Sequence, residues 1–263
     1  MRDFHLPGRS SVLAANGMCA TSHPLAAQTA LDILKNGGNA MDAAIAGAVL
    51  LGICEPQMTG IGGDCFVLFS PAGSNEIKSM NGSGTAPGLA DAQTLRNQGL
   101  KSIPLNSPHA VTIPCAIDAF CQLSNDWGIL GLDRILQPAI HYAEHGVPIA
   151  ERVAYDLGEL TETLNPSGRE FYLPWGRAPK VGELFAHHGQ VKVLKKIAKH
   201  GRDGFYKGEV AEDMVSSLQK LGGQHSINDF SKMEAFYTDP ISGNFPEFEL
   251  FEHPPNGQGA TAI

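Results

Sequence analysis

The feature that constrains this chain most is an almost uncharged segment, residues 40–53. Gly37 and Gly38 stop the preceding segment, and Asn39 with Asp42 three residues later is a typical helix start, in which the asparagine caps the first turn. Because apolar residues lie on nearly every side of the predicted helix, we expect it to be buried on most sides. The segment is too short to span a bilayer, so the helix requires a folded core around it.

Charge is distributed unevenly along the 263 residues. Residues 1–150 contain 18 charged side chains, whereas the shorter segment 151–263 contains 28. We therefore expect the first segment to form an unusually buried core and the second a solvated layer. The net charge of −8 argues against a nucleic-acid partner, since phosphate binding requires clustered Lys and Arg. The N-terminus lacks the apolar stretch of a signal peptide, and no segment predicts a membrane partner.

Cysteine usage bears on the cellular compartment. The five cysteines are odd in number and form no Cys-x-x-Cys pair; they are Cys19, Cys54, Cys65, Cys115 and Cys121. This is typical of reduced, mostly buried thiols, so we expect a cytoplasmic protein. We expect no cofactor.

Hydrophobic periodicity predicts an α/β fold in which helices cover a sheet. The predicted helices cover 24–34, 40–53, 114–125, 132–144, 191–200 and 209–221, and the predicted strands cover 11–15, 18–21, 65–69, 76–80, 109–113 and 245–252. Asn16-Gly17 is a typical hairpin turn between the first two strands, and Ser22 is the predicted cap of the first helix. No linker divides the chain, so we predict one domain over 1–263. Residues 260–263 look like a helix start without a stop signal, and we therefore expect the domain to be truncated at its C-terminus.

Three patterns have both a chemical and a structural interpretation. His141 and His145 lie in a His-x-x-Glu-His pattern that can bind zinc on a helix, but no third ligand is identifiable, so a polar helix end is favoured. The glycine-rich segment 59–64 leads into a strand and lacks the ending of a P-loop, so close backbone packing is favoured over phosphate binding. Cys65 with His23 could form a catalytic pair, but a lone buried thiol is more typical.

The segment Asn81-Gly-Ser-Gly84 follows a predicted strand and could line a substrate site. A simple turn is the alternative, and the segment does not match the Gly-x-Ser-x-Gly pattern of serine hydrolases. His187 and His188 are predicted to lie on a solvated face. The residues by themselves therefore indicate an α/β domain with no obvious catalytic set.

Three longer motifs resemble the gamma-glutamyltransferase (gamma-glutamyltranspeptidase) family. They are Met18-Cys-Ala-Thr-Ser-His-Pro-Leu-Ala-Ala27, Gly37-Gly-Asn-Ala-Met-Asp-Ala-Ala44 and Glu55-Pro-Gln-Met-Thr-Gly-Ile-Gly-Gly-Asp64. Residues 111–117, 204–211 and 254–259 resemble further signatures of that family, the last one being a turn before a helix. The resemblance thus covers essentially the whole chain.

The resemblance implies a four-layer αββα sandwich, the fold of N-terminal-nucleophile hydrolases, of which this chain would form an incomplete part. Members of the family cleave themselves into a large and a small subunit, and the new N-terminal Thr of the small subunit is the nucleophile. It passes the gamma-glutamyl group of glutathione or a similar donor to water or an amine acceptor, and an oxyanion hole holds the intermediate. This chain matches only the large-subunit portion. The resemblance therefore implies that no catalytic residue lies in this chain and that the chain alone is inactive. It also implies that the small subunit is the partner of this chain.

One departure from the family concerns the acyl donor. Its best-known members carry an Arg after the strand that corresponds to 76–80, where it binds the donor α-carboxylate through a bidentate pair. Here the segment reads Asn81-Gly-Ser-Gly-Thr85-Ala-Pro87, without an Arg. The predicted substrate-binding residues are Asn81, Ser83 and Thr85. A glutaryl- or cephalosporin-type amide acylase of the same fold stays open as an alternative, and so does a non-catalytic paralogue or binding protein.

Overall fold

The helix predicted from residue 40 onward lies at the centre of the fold. A computed structural model describes residues 10–263, in which α1 (Pro24–Lys35) and α2 (Ala40–Cys54) pack side by side. Asn39 caps α2 in a capping box with Asp42, as predicted. Eleven of the fifteen residues of α2 are buried, which confirms the expectation drawn from its apolar surface.

The other helices are shorter or lie toward the second half of the chain. They are α3 (Ala92–Asn97), α4 (Ala116–Trp127), α5 (Leu132–Ile135), α6 (Gln137–His145), α7 (Glu151–Leu160), α8 (Pro166–Tyr172), α9 (His188–His200), α10 (Asp203–Tyr206), α11 (Gly208–Lys220), α12 (Ile227–Lys232) and α13 (Gly259–Ala262). Two 3₁₀ turns cover Pro108–Ala110 and Thr161–Thr163. The main core joins α2 to α1, α4, α6 and α9, and a smaller cluster forms around Val153 and Phe185.

Within residues 10–263 the strands form three small antiparallel sheets. The strands are β1 (Cys65–Phe69), β2 (Lys78–Gly82), β3 (Val147–Pro148), β4 (Leu184–Phe185), β5 (Phe236–Thr238), β6 (Ile241–Asn244) and β7 (Glu249–Glu252). The first sheet has the order β1-β2-β5, and the other two pair β3 with β4 and β6 with β7. The fold is therefore mixed α and β, as predicted.

The two faces of the three-stranded sheet have different surroundings. The inner face packs on α4, where Phe69 meets Trp127 edge to face and a Cβ atom on Gly82 would lie 2.8 Å from the Ala119 Cβ. On the outer face, Phe66 and Leu68 alternate with the inward residues of β1 and are exposed. One face of the sheet is thus buried by helices, whereas the other exposes the apolar side chains of β1 beside the buried polar residues Ser79 and Asn81 of β2.

The predicted N-terminal hairpin is wrong. Residues 10–22 contain no strand and are largely exposed, because no neighbouring strand supplies hydrogen bonds to them. Ser22 is not the cap of α1 either. His23 takes that position, and its Nδ1 accepts a hydrogen bond from the Leu25 amide at 3.2 Å. The stop at Gly37 and Gly38 is confirmed, since α1 ends at Lys35.

Two other strand predictions need correction. Residues 109–113 begin in the 3₁₀ turn that Ser107 caps and Pro108 starts, and they are joined to 81–85 only through the Ile113 amide and the Thr85 carbonyl oxygen, 2.8 Å apart. Of the predicted strand 245–252, only the second half forms a strand, which is β7. The first half belongs to the turn from β6, which Phe245 and Phe248 close. The predicted helix start at the chain end is confirmed as α13.

All five cysteines are free, and three of them are buried. Burial raises the pKa of the Cys54, Cys115 and Cys121 thiols to about 12, so these side chains stay neutral near pH 7. This confirms the prediction of unpaired, mostly buried thiols. No helix in the described part of the chain is long and apolar enough to cross a membrane.

Candidate functional site

The end of β2 carries the most developed polar cluster next to the open sheet face. Asn81 is 4% exposed, and its Nδ2 donates to Oδ1 of Asn256 at 3.0 Å. Its Oδ1 accepts from the Ser83 amide at 2.9 Å, while the Ser83 hydroxyl lies 3.1 Å from both Oδ1 and Nδ2 of Asn256. We call Asn81, Ser83 and Asn256 the polar cluster. It presents neutral hydrogen-bonding groups, a pattern suited to orienting a polar acyl group.

Thr85 lies apart from the polar cluster. Its side chain is exposed, and its hydroxyl lies 3.8 Å from the Met233 sulfur. Between Ser83 and Thr85 the chain turns at Gly84, which has a φ of +77°. The structure thus brings together two of the three predicted substrate-binding residues and adds Asn256. Their role in binding substrate stays a prediction.

The polar cluster adjoins the outer face of the sheet. In the antiparallel register, Asn81 lies opposite Phe66 on β1 and opposite Phe236 on β5, so the three side chains share a face. The segment that bears Asn256 also covers part of this face, because His253 packs on Phe66 with ring centroids 4.8 Å apart. Exposed Phe66 and Phe236 therefore flank the buried amide of Asn81 on this face. A ligand on the polar cluster would have apolar walls beside it.

A buried ion pair behind the sheet holds β5 in place. Asp118 on α4 accepts from Arg202 Nε at 2.5 Å and from the Ala235 amide, which directly precedes β5, at 2.7 Å. Arg202 also donates to the carbonyl oxygens of Ser231 and Met233 and stacks over the Tyr206 ring. Asp118 and Arg202 are 84 residues apart in the chain and carry no motif, so sequence reasoning missed them.

Comparison with known proteins decides the family. The family model described as gamma-glutamyltranspeptidase matches residues 26–263. The chain belongs to the gamma-glutamyltranspeptidase family. The resemblance inferred from the motifs is therefore confirmed.

The relatives of the chain are longer proteins. A glutathione hydrolase-like YwrD proenzyme of Bacillus subtilis is 33% identical over 96% of this chain and 48% of its own length. The crystal structure of a cephalosporin acylase from Bacillus halodurans matches with a TM-score of 0.92 at 37% identity, over 99% of this chain and 50% of that one. A gamma-glutamyltranspeptidase of Helicobacter pylori matches with a TM-score of 0.90 at 26% identity, over 96% of this chain and 74% of that one. These neighbours confirm the predicted N-terminal-nucleophile hydrolase fold. The chain spans about half the length of the curated relatives it matches.

Two of the gamma-glutamyltranspeptidase-like motifs meet in the tertiary structure. The Ser22 hydroxyl, in the first motif, donates to the carboxylate of Glu55, which begins the third. The glycine-rich end of the third motif packs against α2, where a Cβ atom on Gly52 would lie 3.0 Å from the Gly60 Cα. The Gly63 carbonyl oxygen accepts from the amides of residues 115 and 116 at the start of α4. These contacts support backbone packing, and not phosphate binding, as the role of this loop.

Neither the Cys65–His23 pair nor the His-x-x-Glu-His pattern has the surroundings of a catalytic centre. Burial, followed by the charge of Asp64, raises the pKa of Cys65 to about 12, and the Nδ1 atom of His23 is used in capping α1. Glu144 of the His-x-x-Glu-His pattern pairs with Lys195 at 3.2 Å. Among residues 10–263 no group of three or more His, Cys, Asp or Glu side chains could hold a metal.

His187 corrects a further prediction. Instead of lying on a solvated face it is 0% exposed, and its ring meets Phe185 and Phe171 edge to face at 4.7 and 5.7 Å. The pKa of His187 is lowered to about 4, mainly by burial. Only His188 is exposed. The His187 amide donates to the Ala143 carbonyl oxygen, which places the backbone of His187 against α6 at the junction of β4 and α9.

The sequence contains one indication that Asn256 could belong to the site, although no single-residue pattern points to it. It lies in the segment 254–259, which resembles a family signature before a helix. Because Asn256 is 175 residues from Asn81, no local pattern joins the two. Only a signature read together with the path of the chain could have placed it in the site.

Proposed function

We propose that this chain is the N-terminal, large-subunit portion of a gamma-glutamyltransferase-like acyl transferase or hydrolase. The observation that carries the proposal is the family match over residues 26–263, which includes every residue of the polar cluster. The substrate would be the gamma-glutamyl amide bond of glutathione or a related donor, with water or an amine as acceptor. A Thr nucleophile, released by self-cleavage, would come from the part of the protein that follows this chain.

The polar cluster would contribute binding and not bond breaking. Its amide and hydroxyl groups can hold a substrate carbonyl or amide by hydrogen bonds, and a flanking apolar wall would exclude water. None of the three side chains is an ionised base, so proton transfer is left to the N-terminal amine of the nucleophile. The proposal therefore assigns this chain to substrate positioning.

The exposed apolar residues of the outer sheet face support the proposal that a partner covers this face. Phe66 and Phe236 are 39% and 56% exposed, and exposed apolar surface of this kind marks an interaction site. We propose that the C-terminal half or small subunit covers it, which fits the roughly half-length match to the relatives. Residues 10–263 expressed alone should bind a hydrophobic dye, and Phe66→Ser with Leu68→Ser should reduce that binding. Dye binding that is absent in the isolated chain would contradict the proposal.

Self-cleavage provides the main test. The full-length gene product should separate into two bands on a denaturing gel, and replacing the Thr at the new N-terminus by Ala should leave one band. Activity on a gamma-glutamyl anilide should appear only after cleavage. A full-length protein that neither cleaves itself nor hydrolyses an acyl anilide would instead be the non-catalytic paralogue.

An amide acylase is the second candidate, and Thr85 favours it. A threonine stands where the resemblance implies an Arg for the donor α-carboxylate, and a neutral hydroxyl cannot supply that charge-assisted bidentate pair. The 37% identity to the cephalosporin acylase agrees with this alternative. Faster hydrolysis of a glutaryl anilide than of a gamma-glutamyl anilide would support it. In that case Thr85→Arg should shift the preference toward the gamma-glutamyl donor, whereas Thr85→Lys should shift it less.

The cellular location stays a proposal as well. We propose the cytoplasm, because five free thiols fit a reducing compartment. Fractionation of cells that produce the full-length protein tests it, and recovery outside the cytoplasm would contradict it.

A further inference from the structure

Two histidines on α6 form a pair that the proposed acyl-transfer function does not use. His141 and His145 are both exposed and lie one helical turn apart. Their ring centroids are 4.4 Å apart, with the ring planes inclined by 31°. Side chains at i and i+4 are neighbours on a helix surface, and two imidazoles at this spacing can bind one metal ion. The pair therefore presents two nitrogen ligands on one side of the helix.

The backbone determines which nitrogen of His145 is available. Its Nδ1 lies 2.9 Å from the His141 carbonyl oxygen. Because a carbonyl oxygen can only accept, Nδ1 carries the proton and Nε2 keeps its lone pair. Histidine ligands usually donate their other ring N–H to such a group, which fixes the tautomer and the ring orientation. His145 is thus arranged as an Nε2 ligand by the helix itself.

The neighbouring side chains restrict the kind of ion. Glu144 is engaged with Lys195, and the part of the chain that the structure describes offers no cluster of three or more ligating side chains. An ion at the pair would have two imidazole ligands and would complete its coordination with water. Imidazole suits zinc, copper and nickel, whereas magnesium and calcium prefer oxygen ligands.

We propose that His141 and His145 form an exchangeable surface site for a late first-row divalent ion such as Zn²⁺. The ion joins successive turns of α6 at its C-terminal end, just before Gly146 leaves the helix with a φ of +89°. Its effect is to stabilise this helix end. The site takes no part in acyl transfer and is not a catalytic zinc centre.

Calorimetric titration of the purified, chelator-treated full-length protein with Zn²⁺ tests the proposal. The wild type should bind one more equivalent than the His141→Gln/His145→Gln double variant, and each single variant should lower the affinity of that equivalent at least about tenfold. Zn²⁺ should raise the Tm of the wild type more than that of the double variant, and Mg²⁺ should raise neither. Equal Zn²⁺ binding by wild type and double variant, or no binding up to millimolar Zn²⁺, would overturn the proposal.

Two control variants sharpen the test. His188→Gln removes another exposed histidine and should leave binding unchanged. Glu144→Gln should also leave it unchanged, and a loss as large as that of the histidine variants would overturn the two-imidazole site. A third measurement uses the wild type alone, so its result does not depend on whether a variant folds. Electron paramagnetic resonance with Cu²⁺ should report two imidazole nitrogens, and a spectrum with oxygen ligands alone would contradict the proposal.

Discussion

Gly84 lies directly against Ile113, so that a Cβ atom on residue 84 would sit 2.0 Å from the Ile113 carbonyl oxygen. The same two segments are joined by the hydrogen bond from the Ile113 amide to the Thr85 carbonyl oxygen. This close approach makes the chain turn between Ser83, which belongs to the polar cluster, and Thr85, which does not. It therefore decides which predicted site residues lie together.

The first prediction concerns this turn. Gly84→Ala should lower the free energy of unfolding by more than about 2 kcal/mol, because it combines an unfavourable positive φ with a backbone collision. Gly73→Ala is the matched control, since Gly73 has a φ of +75° and no neighbouring atom within 4 Å. It should cost only about 1 kcal/mol. Denaturant unfolding measures both, and equal losses would show that the contact with Ile113 is unimportant.

The second prediction concerns the buried ion pair. The Asp118 side chain is 2% exposed, and Asp118→Asn would leave Arg202 without its carboxylate. We expect a loss of about 3 kcal/mol in the free energy of unfolding. Asp203→Asn breaks the exposed pair with Lys207 and should cost at most about 1 kcal/mol. A small effect at Asp118, comparable to that at Asp203, would mean that the pair does not hold β5.

The third prediction separates Ser83 from Thr85. In the full-length protein, Ser83→Ala should lower kcat/KM for the preferred anilide about tenfold, the effect of losing one hydrogen bond to a positioned group. Thr85→Ala should change kcat/KM less than about twofold, because Thr85 lies outside the polar cluster. Steady-state kinetics on self-cleaved protein gives both values. A larger loss at Thr85 than at Ser83 would place the substrate elsewhere.

The fourth prediction concerns acid stability. Burial lowers the pKa of His187 to about 4, so the unfolded chain binds a proton more readily than the folded one. The contribution of His187 to the free energy of unfolding has its full value above about pH 6.5 and decreases as the pH drops toward 4. Between pH 7.5 and pH 5 the loss should be about 2 kcal/mol.

Comparison of two histidine variants isolates that effect. His187→Leu should remove this part of the pH dependence, measured as the difference in the free energy of unfolding at pH 7.5 and pH 5. His188→Leu should keep it, because His188 is exposed. The same pH dependence in both variants would assign acid sensitivity to other groups.

Local rules predicted part of the fold correctly. The capping box at Asn39, the buried helix α2 and the strand β1 depend on residues close together in the chain. The hairpin around Asn16-Gly17 failed although its turn signal is strong, since a strand needs a neighbour and residues 10–22 have none in the described structure. A turn signal predicts where a chain can reverse but not whether a sheet forms there.

The sequence by itself determined the family, because the long motifs are specific and the family match covers residues 26–263. Only the tertiary structure decided which residues share a site. Asn81 and Asn256 meet across 175 residues, and Asp118 and Arg202 meet across 84. Capping and helical periodicity act within a few residues, whereas these contacts depend on the path of the whole chain. His187 shows the same limit, since its burial includes packing against Phe171, which no local pattern around His187 indicates.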